Sequence, residues 1–375
     1  MDATIAKVVE KFVADGHRMA SPPLLQPADL FLDLAGEDIR RRLYLTTGQD
    51  GTDLCLRPDF TIPVCRLHLE TATSGLPVNY CYRGPVFRQR SDGLGEIDQI
   101  GAESFGRSDR LQADADMLRA AVNAVEAFGL SGFEVRVGDE AIFAAVLAGT
   151  GLPQVWQRRL KDLFGDTDKL TSAIDRMART ADQIDDSRDV RLGFLSALES
   201  AAPEAAHAVV EDLLSIAGIS AVGGRTAGEI ADRFLEQAAL ASGSSDHSQA
   251  AQQLKDFLSI QETGGDAVSA LQAFETRTGI NIESQIADFD ARLKALEADG
   301  INKDRLYFSA EFGRRLDYYS GFVFEIYKRD KVDGQLVGGG RYDRLLKLLG
   351  AEADIPATGF SIWLDRIATA LGAGS

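Results

Sequence analysis

YRGPVFRQRSDGLGEIDQIGAESFG, residues 82–106, reads as two strands closed by a polar, glycine-rich tip at Ser91–Gly95. VNYCYRGPVFRQR (78–90) and EIDQIGAESFG (96–106) are rich in β-branched and aromatic residues, so a long antiparallel hairpin is expected. Strand alternation then sorts side chains by face. Gln99, Gly101 and Glu103 share one face and Ile100 and Ala102 the other, and a glycine between two polar groups leaves room for a ligand. A solvated sheet face gives the same alternation, and alternation alone does not separate the two readings.

Working outward, helical periodicity is expected over about residues 1–20, followed by an extended, proline-rich segment, SPPLLQPADLF (21–31). RRLYLTTGQDGTDLCLRPDFTIPV (41–64) predicts two strands about Gln49-Asp50-Gly51, with Arg57, Asp59 and Thr61 on one strand face. Helices are predicted for DRLQADADMLRAAVNAVEAFGL (109–130) and EAIFAAVLAG (140–149), and a strand for FEVRVGD (133–139). From 150 to 299 the periodicity is almost wholly helical: LPQVWQRRLKDLFG, AAHAVVEDLLSIAG, AGEIADRFLEQAALAS, QAAQQLKDFLSIQ and IESQIADFDARLKALEA. Strands resume at RLYFSAEF (305–312) and LDYYSGFVFEIYK (316–328), where Tyr319, Gly321 and Glu325 oppose a core face of Phe322, Phe324 and Ile326. GGGRYD (338–343) reads as a glycine turn entering a helix, and ATGFSIWLDRI (357–367) as an amphipathic helix with Phe360, Trp363, Leu364 and Ile367 on its apolar stripe. The expected fold is α+β: one mixed, mostly antiparallel sheet flanked by helices, formed by 1–149 and 300–375, with an inserted helical subdomain at 150–299.

Composition bounds the function. With 45% hydrophobic and 26% charged residues, the 375-residue chain can bury a sizeable core. Its net charge of −17 supplies no field to attract phosphate backbones, so no nucleic-acid partner is expected. The first residues lack the apolar core of a signal peptide and no run approaches membrane-spanning length, so no membrane association and a cytoplasmic location are expected. Cys55, Cys65 and Cys81 suit reduced, buried thiols, and four scattered histidines suggest no metal cluster. Arg88, Arg90, Arg314, Arg315 and Arg341 are candidates for anion recognition.

Taken in order, these segments resemble the catalytic domain of class II aminoacyl-tRNA synthetases, and specifically histidyl-tRNA synthetase. LRPDFTIPVCR resembles the LRPE-x-T segment, residues 82–106 the motif 2 hairpin, RRLDYYSGFVFE the histidine-specific RGLDYY signature, GGGRYD the GGRYD turn and GFSIWLDRI motif 3. The resemblance implies a histidine pocket: Asp59 and Thr61 at the α-amino group, Gln99 at the polar end, Glu103, Tyr319 and Tyr342 around the imidazole, Arg314 near the carboxylate and α-phosphate, Arg88 as the motif 2 arginine, and Tyr318 among the histidine-binding residues. It implies no cofactor, no metal and an ATP half that is not preserved. Arg90 stands in place of the motif 2 glutamate, Gly95 in place of a loop arginine, Arg315 follows Arg314 in place of glycine, and Trp363 replaces a small residue, although Arg366 remains.

Only nine residues follow Arg366, so no anticodon-binding domain is expected. The pattern is similar to the regulatory subunit of ATP phosphoribosyltransferase, a synthetase paralogue. The resemblance therefore implies no catalytic residues, a hetero-oligomer with the short-form catalytic subunit of that enzyme, a homodimer paired near SPPLLQPADLF, and L-histidine as ligand. An amino-acid-activating enzyme acting on a non-tRNA acceptor is the alternative, resting on Arg88, Arg314 and Arg366; a scaffold with a vestigial pocket is a third.

Overall fold

The computed structural model describes residues 1–34, 39–71, 76–90, 93–178, 221–222, 225–226, 247–314, 318–328 and 334–372. They fall into two compact units: Met1–Val146 with Phe164–Asp166 and Phe257–Ser375, and Leu147–Leu163 with Thr167–Asp256.

In the first unit, β1 (Arg18–Met19), β2 (Leu25–Pro27), β3 (Leu45–Thr47), β4 (Asp53–Leu56), β5 (Val78–Phe87), β6 (Glu96–Phe105) and β7 (Phe133–Asp139) come before the second unit in the chain. The second unit holds helices Gln154–Lys161 and Thr167–Met177 and the short ladder β8 (Ala221–Val222) and β9 (Arg225–Thr226). The first unit resumes with β10 (Gln261–Thr263), β11 (Leu306–Ser309), β12 (Phe322–Lys328), β13 (Gln335–Arg341) and β14 (Ala357–Trp363). Nine strands form one sheet in the order β1-β5-β6-β14-β13-β12-β7-β11-β10, and β2-β4-β3 form a small second sheet. All ladders of the large sheet are antiparallel except β1–β5 and β11–β7, which makes it mixed but mostly antiparallel.

The expected hairpin forms as β5 and β6, in register over ten pairs from Val78↔Phe105 to Phe87↔Glu96. Helix Arg110–Ala127 buries Ala113, Met117, Leu118, Ala121 and Val125 and packs on β6, β13 and β14. Cys55, Cys65 and Cys81 are free and buried, and burial pushes the Cys55 thiol up to about 12 and Cys81 to about 11.

Three segments differ from the sequence reading. ATGFSIWLDRI is not one helix: Ala357–Trp363 is a strand and only Leu364–Ala370 is helical. Six of the seven β14 residues are buried because the strand lies between β6 and β13, and a short apolar run covered on both faces has no periodicity to distinguish strand from helix. GGGRYD is not a turn, since Gly338–Gly340 sit inside β13 between two partner strands. There a Cβ on Gly339 would lie 2.5 Å from the Phe324 ring and 2.6 Å from the Gly359 carbonyl oxygen, so close packing selects the glycine. LRPDFTIPV is not a continuous strand, because β4 ends at Leu56 and a helix runs from Thr61 to Leu69. Pro63 falls in its first turn, where no intrahelical N–H is needed.

The insert is also shorter than expected. Residues 257–299 belong to the sheet-bearing unit: β10 extends the sheet, and helices Gly264–Thr278 and Glu283–Ala298 accompany it. Their periodicity resembles that of the insert, so composition places no boundary at Phe257. Two expected helices, 205–218 and 227–242, lie outside the described residues.

Candidate functional site

Residues paired across antiparallel strands point to the same face. Glu103 pairs with Tyr80 and Gly359, Gly101 with Tyr82 and Ser361, and Gln99 with Gly84 and Trp363. Farther across, Gly359 pairs with Gly340, Ser361 with Gly338, and Gly338 with Glu325. One face of the sheet is thus floored by Gly84, Gly101, Gly338, Gly340 and Gly359. The missing side chains admit specific neighbours. A Cβ on Gly359 would fall within the Glu103 carboxylate, one on Gly338 within the Arg314 guanidinium, and one on Gly101 against the Tyr82 hydroxyl. At Gly340 it would crowd the Tyr319 ring at 3.0 Å. The space above Gly101 is therefore filled by Tyr82, where the sequence suggested room for a ligand.

Glu103 is fully buried on β6. Thr61, at the start of helix Thr61–Leu69, donates to its Oε1 at 2.8 Å, and the Tyr342 hydroxyl donates to Oε2. Burial outweighs these bonds and raises the Glu103 carboxyl to about 8. Asp59 precedes the same helix; its Oδ1 accepts from the Ile62 amide at 3.2 Å, and burial lifts the carboxyl to about 6 against the opposing pull of Arg88. Arg88 donates through Nε to the Pro58 carbonyl at 2.7 Å, and burial lowers its pKa against the opposing charge of Asp59. Tyr318, Tyr319 and Tyr342 form an aromatic wall with ring centroids 4.9–6.3 Å apart. Arg314 stacks 5.5 Å over Tyr319. Burial raises the hydroxyl pKa of all three tyrosines.

Unpaired atoms mark what this assembly lacks. Asp59 Oδ2, both amide atoms of Gln99, and Nε and Nη1 of Arg314 are buried without a hydrogen-bond partner among the described residues. Leaving such groups unpaired costs about 1–3 kcal/mol each, more for charges, so together they call for a ligand. The complement of a carboxylate oxygen, an amide and a guanidinium is an ammonium beside a carboxylate. A second carboxyl, Glu103, stands beside the phenols and is bonded by Tyr342. That set suits an α-amino acid whose side chain carries ring nitrogens. Among the described residues no three His, Cys, Asp or Glu side chains are grouped to hold a metal ion.

Comparison with known proteins identifies the family. The family model for histidyl-tRNA synthetase matches residues 1–222 and 205–367. The ATP phosphoribosyltransferase regulatory subunit of Chelativorans sp. (strain BNC1) is 43% identical over 373 residues, covering 98% of this chain and 97% of its own. That of Rhizobium meliloti (strain 1021) is 43% identical over 358 residues, covering 94% and 92%. The chain belongs to the histidyl-tRNA synthetase family and groups with the ATP phosphoribosyltransferase regulatory subunits. The fold is that of a Bacillus halodurans protein described as an ATP phosphoribosyltransferase regulatory subunit/histidyl-tRNA synthetase, with a TM-score of 0.68 at 21% identity over 99% of this chain and 78% of that one. Histidyl-tRNA synthetase from Nostoc sp. PCC 7120 gives a TM-score of 0.62 at 17% identity over 100% and 72%.

All nine site residues expected from the family, Asp59, Thr61, Arg88, Gln99, Glu103, Arg314, Tyr318, Tyr319 and Tyr342, converge on this face. Thr61 is occupied by Glu103 and so positions that carboxyl. The other candidate cations are elsewhere or engaged. Arg341 points to the reverse face and binds Asp114 and Asp343, and Arg90 lies 3.4 Å from Asp365. Arg57 donates to the carbonyls of Pro22 and Pro85 and stacks on Phe60, a framework role. Arg315 lies outside the described residues. Sequence reasoning missed Tyr82, whose hydroxyl bonds Ser361 Oγ at 2.7 Å and the Phe360 carbonyl at 3.1 Å while its ring stacks on Phe60. It also missed Gly338 and Gly359, though alternating glycines facing a charged partner strand were a usable signal.

Proposed function

We propose that this chain is a non-catalytic subunit that binds L-histidine on the glycine floor, joins the short-form catalytic subunit of ATP phosphoribosyltransferase in a hetero-oligomer, and makes the first step of histidine biosynthesis responsive to histidine. The observation that carries the ligand is the set of unpaired buried atoms on Asp59, Gln99 and Arg314 around the Glu103–Tyr342 pair. The α-ammonium would meet Asp59 and Gln99, the carboxylate Arg314 and Arg88, and the imidazole Glu103 and the phenols.

The nucleotide half reads differently. Trp363 shares the floor with Gln99 and is buried in one apolar cluster with Phe60, Tyr82 and Tyr318. Arg366 stacks 5.0 Å over its ring and donates to the Gln335 carbonyl at 2.9 Å. A Cβ on Gly95 would collide with the Tyr44 hydroxyl, so no side chain reaches out from that point of the hairpin. These features favour a filled ATP region and a regulatory part over amino-acid activation.

For control of a partner enzyme, histidine must bind more tightly to one state of the complex than to another. A second copy of this chain is expected at the small sheet, where Leu24, Leu25 and Leu45 are exposed. A cytoplasmic location fits this part; among the described residues no helix is long and apolar enough to cross a membrane. The test is to titrate the catalytic subunit with this chain and then with histidine. Activation followed by histidine inhibition is expected, with calorimetric histidine binding to this chain alone and no histidine-dependent pyrophosphate–ATP exchange. No change in either activity or inhibition would sink the proposal.

A further inference from the structure

The reverse face of the sheet holds a second polar recess, unconnected with the residues assigned above. It is a groove of about 400 Å³ between the N-terminal helix Asp2–Ala14, the start of β5 and helix Arg110–Ala127, lined by Lys11, Asp15, His17, Asn79, Arg107 and Arg119 among others. Asn79 and Ser104 pair in register, next in sequence to Tyr80 and Glu103, so the two sites lie back to back on β5 and β6.

Two of its lining residues are incomplete. His17 is 8% exposed, and its Nδ1 lies 3.0 Å from the Phe12 carbonyl oxygen. A carbonyl only accepts, so Nδ1 carries the proton. Burial lowers the ring's pKa, which leaves Nε2 a bare acceptor. That Nε2 is buried without a partner among the described residues, as are Asn79 Oδ1 in the same lining and the Ser104 hydroxyl beside it. Two unpaired acceptors attract a nitrogen donor and repel a simple anion.

The rim has the opposite character. Lys11 pairs with Asp15 at 2.6 Å, Arg107 with Asp116 at 2.6 Å, and Arg119 with the same Asp116 at 3.1 Å. Arg107 and Arg119 are also paired with Asp109 and Asp299, so either guanidinium can turn one edge to a new carboxylate without stranding Asp116. We propose that this groove binds a small zwitterion, the ammonium on His17 Nε2 and Asn79 Oδ1 and the carboxylate on Arg107 and Arg119: the chemistry of a free amino acid.

L-glutamate is the probe, added to the full chain carrying isotope-labelled histidine. The chain has four histidines, so the His17 Nε2 resonance is assignable with a His17→Gln control. Glutamate should move that resonance saturably. Acetate and methylammonium, each supplying half the zwitterion, should bind at least about tenfold more weakly, the worth of one charge-assisted hydrogen bond. Asn79→Ala and Arg119→Ala should each weaken glutamate by a similar factor, whereas Glu103→Ala, which disables the pocket on the other face, should leave it unchanged. No shift of the His17 signal in the wild-type chain would overturn the proposal whatever the variants do. So would a shift reproduced in full by acetate, or one abolished by Glu103→Ala.

Discussion

Two buried polar clusters lie on opposite faces of the same sheet, and they differ in one respect. On the reverse face, Asp114 is fully buried yet accepts from Arg292 Nε at 2.8 Å and Arg341 Nε at 2.9 Å. Arg292 reaches on to Asp139 at 2.9 Å, and Arg341 to Asp343 at 2.7 Å, with Arg110 completing Asp343. On the floor face, Asp59 and Gln99 are as deeply placed and Arg314 is half-buried, but Asp59 Oδ2, the Gln99 amide and Arg314 Nε and Nη1 have no partner among the described residues. A saturated cluster has no bonding capacity left for a ligand and ties helices to the sheet. An unsaturated one keeps bonding capacity that a ligand can take up.

The largest effect should come from breaking the saturated side. Arg292→Ala leaves Asp114 and Asp139 short of a cation in a buried setting, and a loss of about 3–5 kcal/mol in unfolding free energy is expected by denaturant titration. On the unsaturated side the sign should reverse. Arg314→Ala should weaken histidine binding by about 1.5–3 kcal/mol in calorimetry, yet it removes a guanidinium whose covered Nε and Nη1 make no hydrogen bond among the described residues, and should not lower the melting temperature. A matching loss of stability in both variants would erase the distinction. Gly338→Ala should reproduce the binding defect of Arg314→Ala by displacing its guanidinium, and the double variant should be no worse than either single one. An additive double variant would show that the glycine does not act through Arg314.

A further test, on the unsaturated side, is a pH dependence. Glu103 ionises near 4.5 in an unfolded chain and at about 8 in the folded one. Between those values the unfolded state has released a proton that the folded state keeps, so stability should fall as pH rises across that window and level off above it. Asp59, raised to about 6, acts in the same direction over a narrower range. Melting temperatures of wild type and Glu103→Gln should therefore converge towards the acid end and separate towards pH 8, with the wild type falling more steeply. Parallel curves would assign the titration to another group.

Much of this contrast was legible beforehand and part was not. Alternation on β6 placed Gln99, Gly101 and Glu103 on one face, and the hairpin and the helix Arg110–Ala127 followed from periodicity alone. Motif order then named Asp59, Arg88 and Arg314, which the structure brings beside one another and beside Tyr318. What failed lay at the centre of the sheet, where β13 and β14 are covered on both sides. Gly338–Gly340 looked like a turn because glycine usually serves conformation, whereas here Gly338 and Gly339 make room for Arg314 and Phe324. Trp363 sat on an apolar stripe that fits a helix, but it ends a strand opposite Gln99. The saturated network was invisible because its partners, Asp114 and Arg292, are 178 residues apart and nothing in the spacing links them.

The glycine floor also constrains how this pocket can change over time. A floor made of backbone has no rotamers to exchange, and at Gly338 and Gly359 any other residue expels the Arg314 guanidinium or the Glu103 carboxyl. New selectivity is therefore reachable only through the walls, at Thr61, Tyr318 or Tyr342, while the base of the pocket stays fixed. Descendants of such a chain could lose the pocket in one step at either glycine, but could retune it only by accumulating substitutions around the rim.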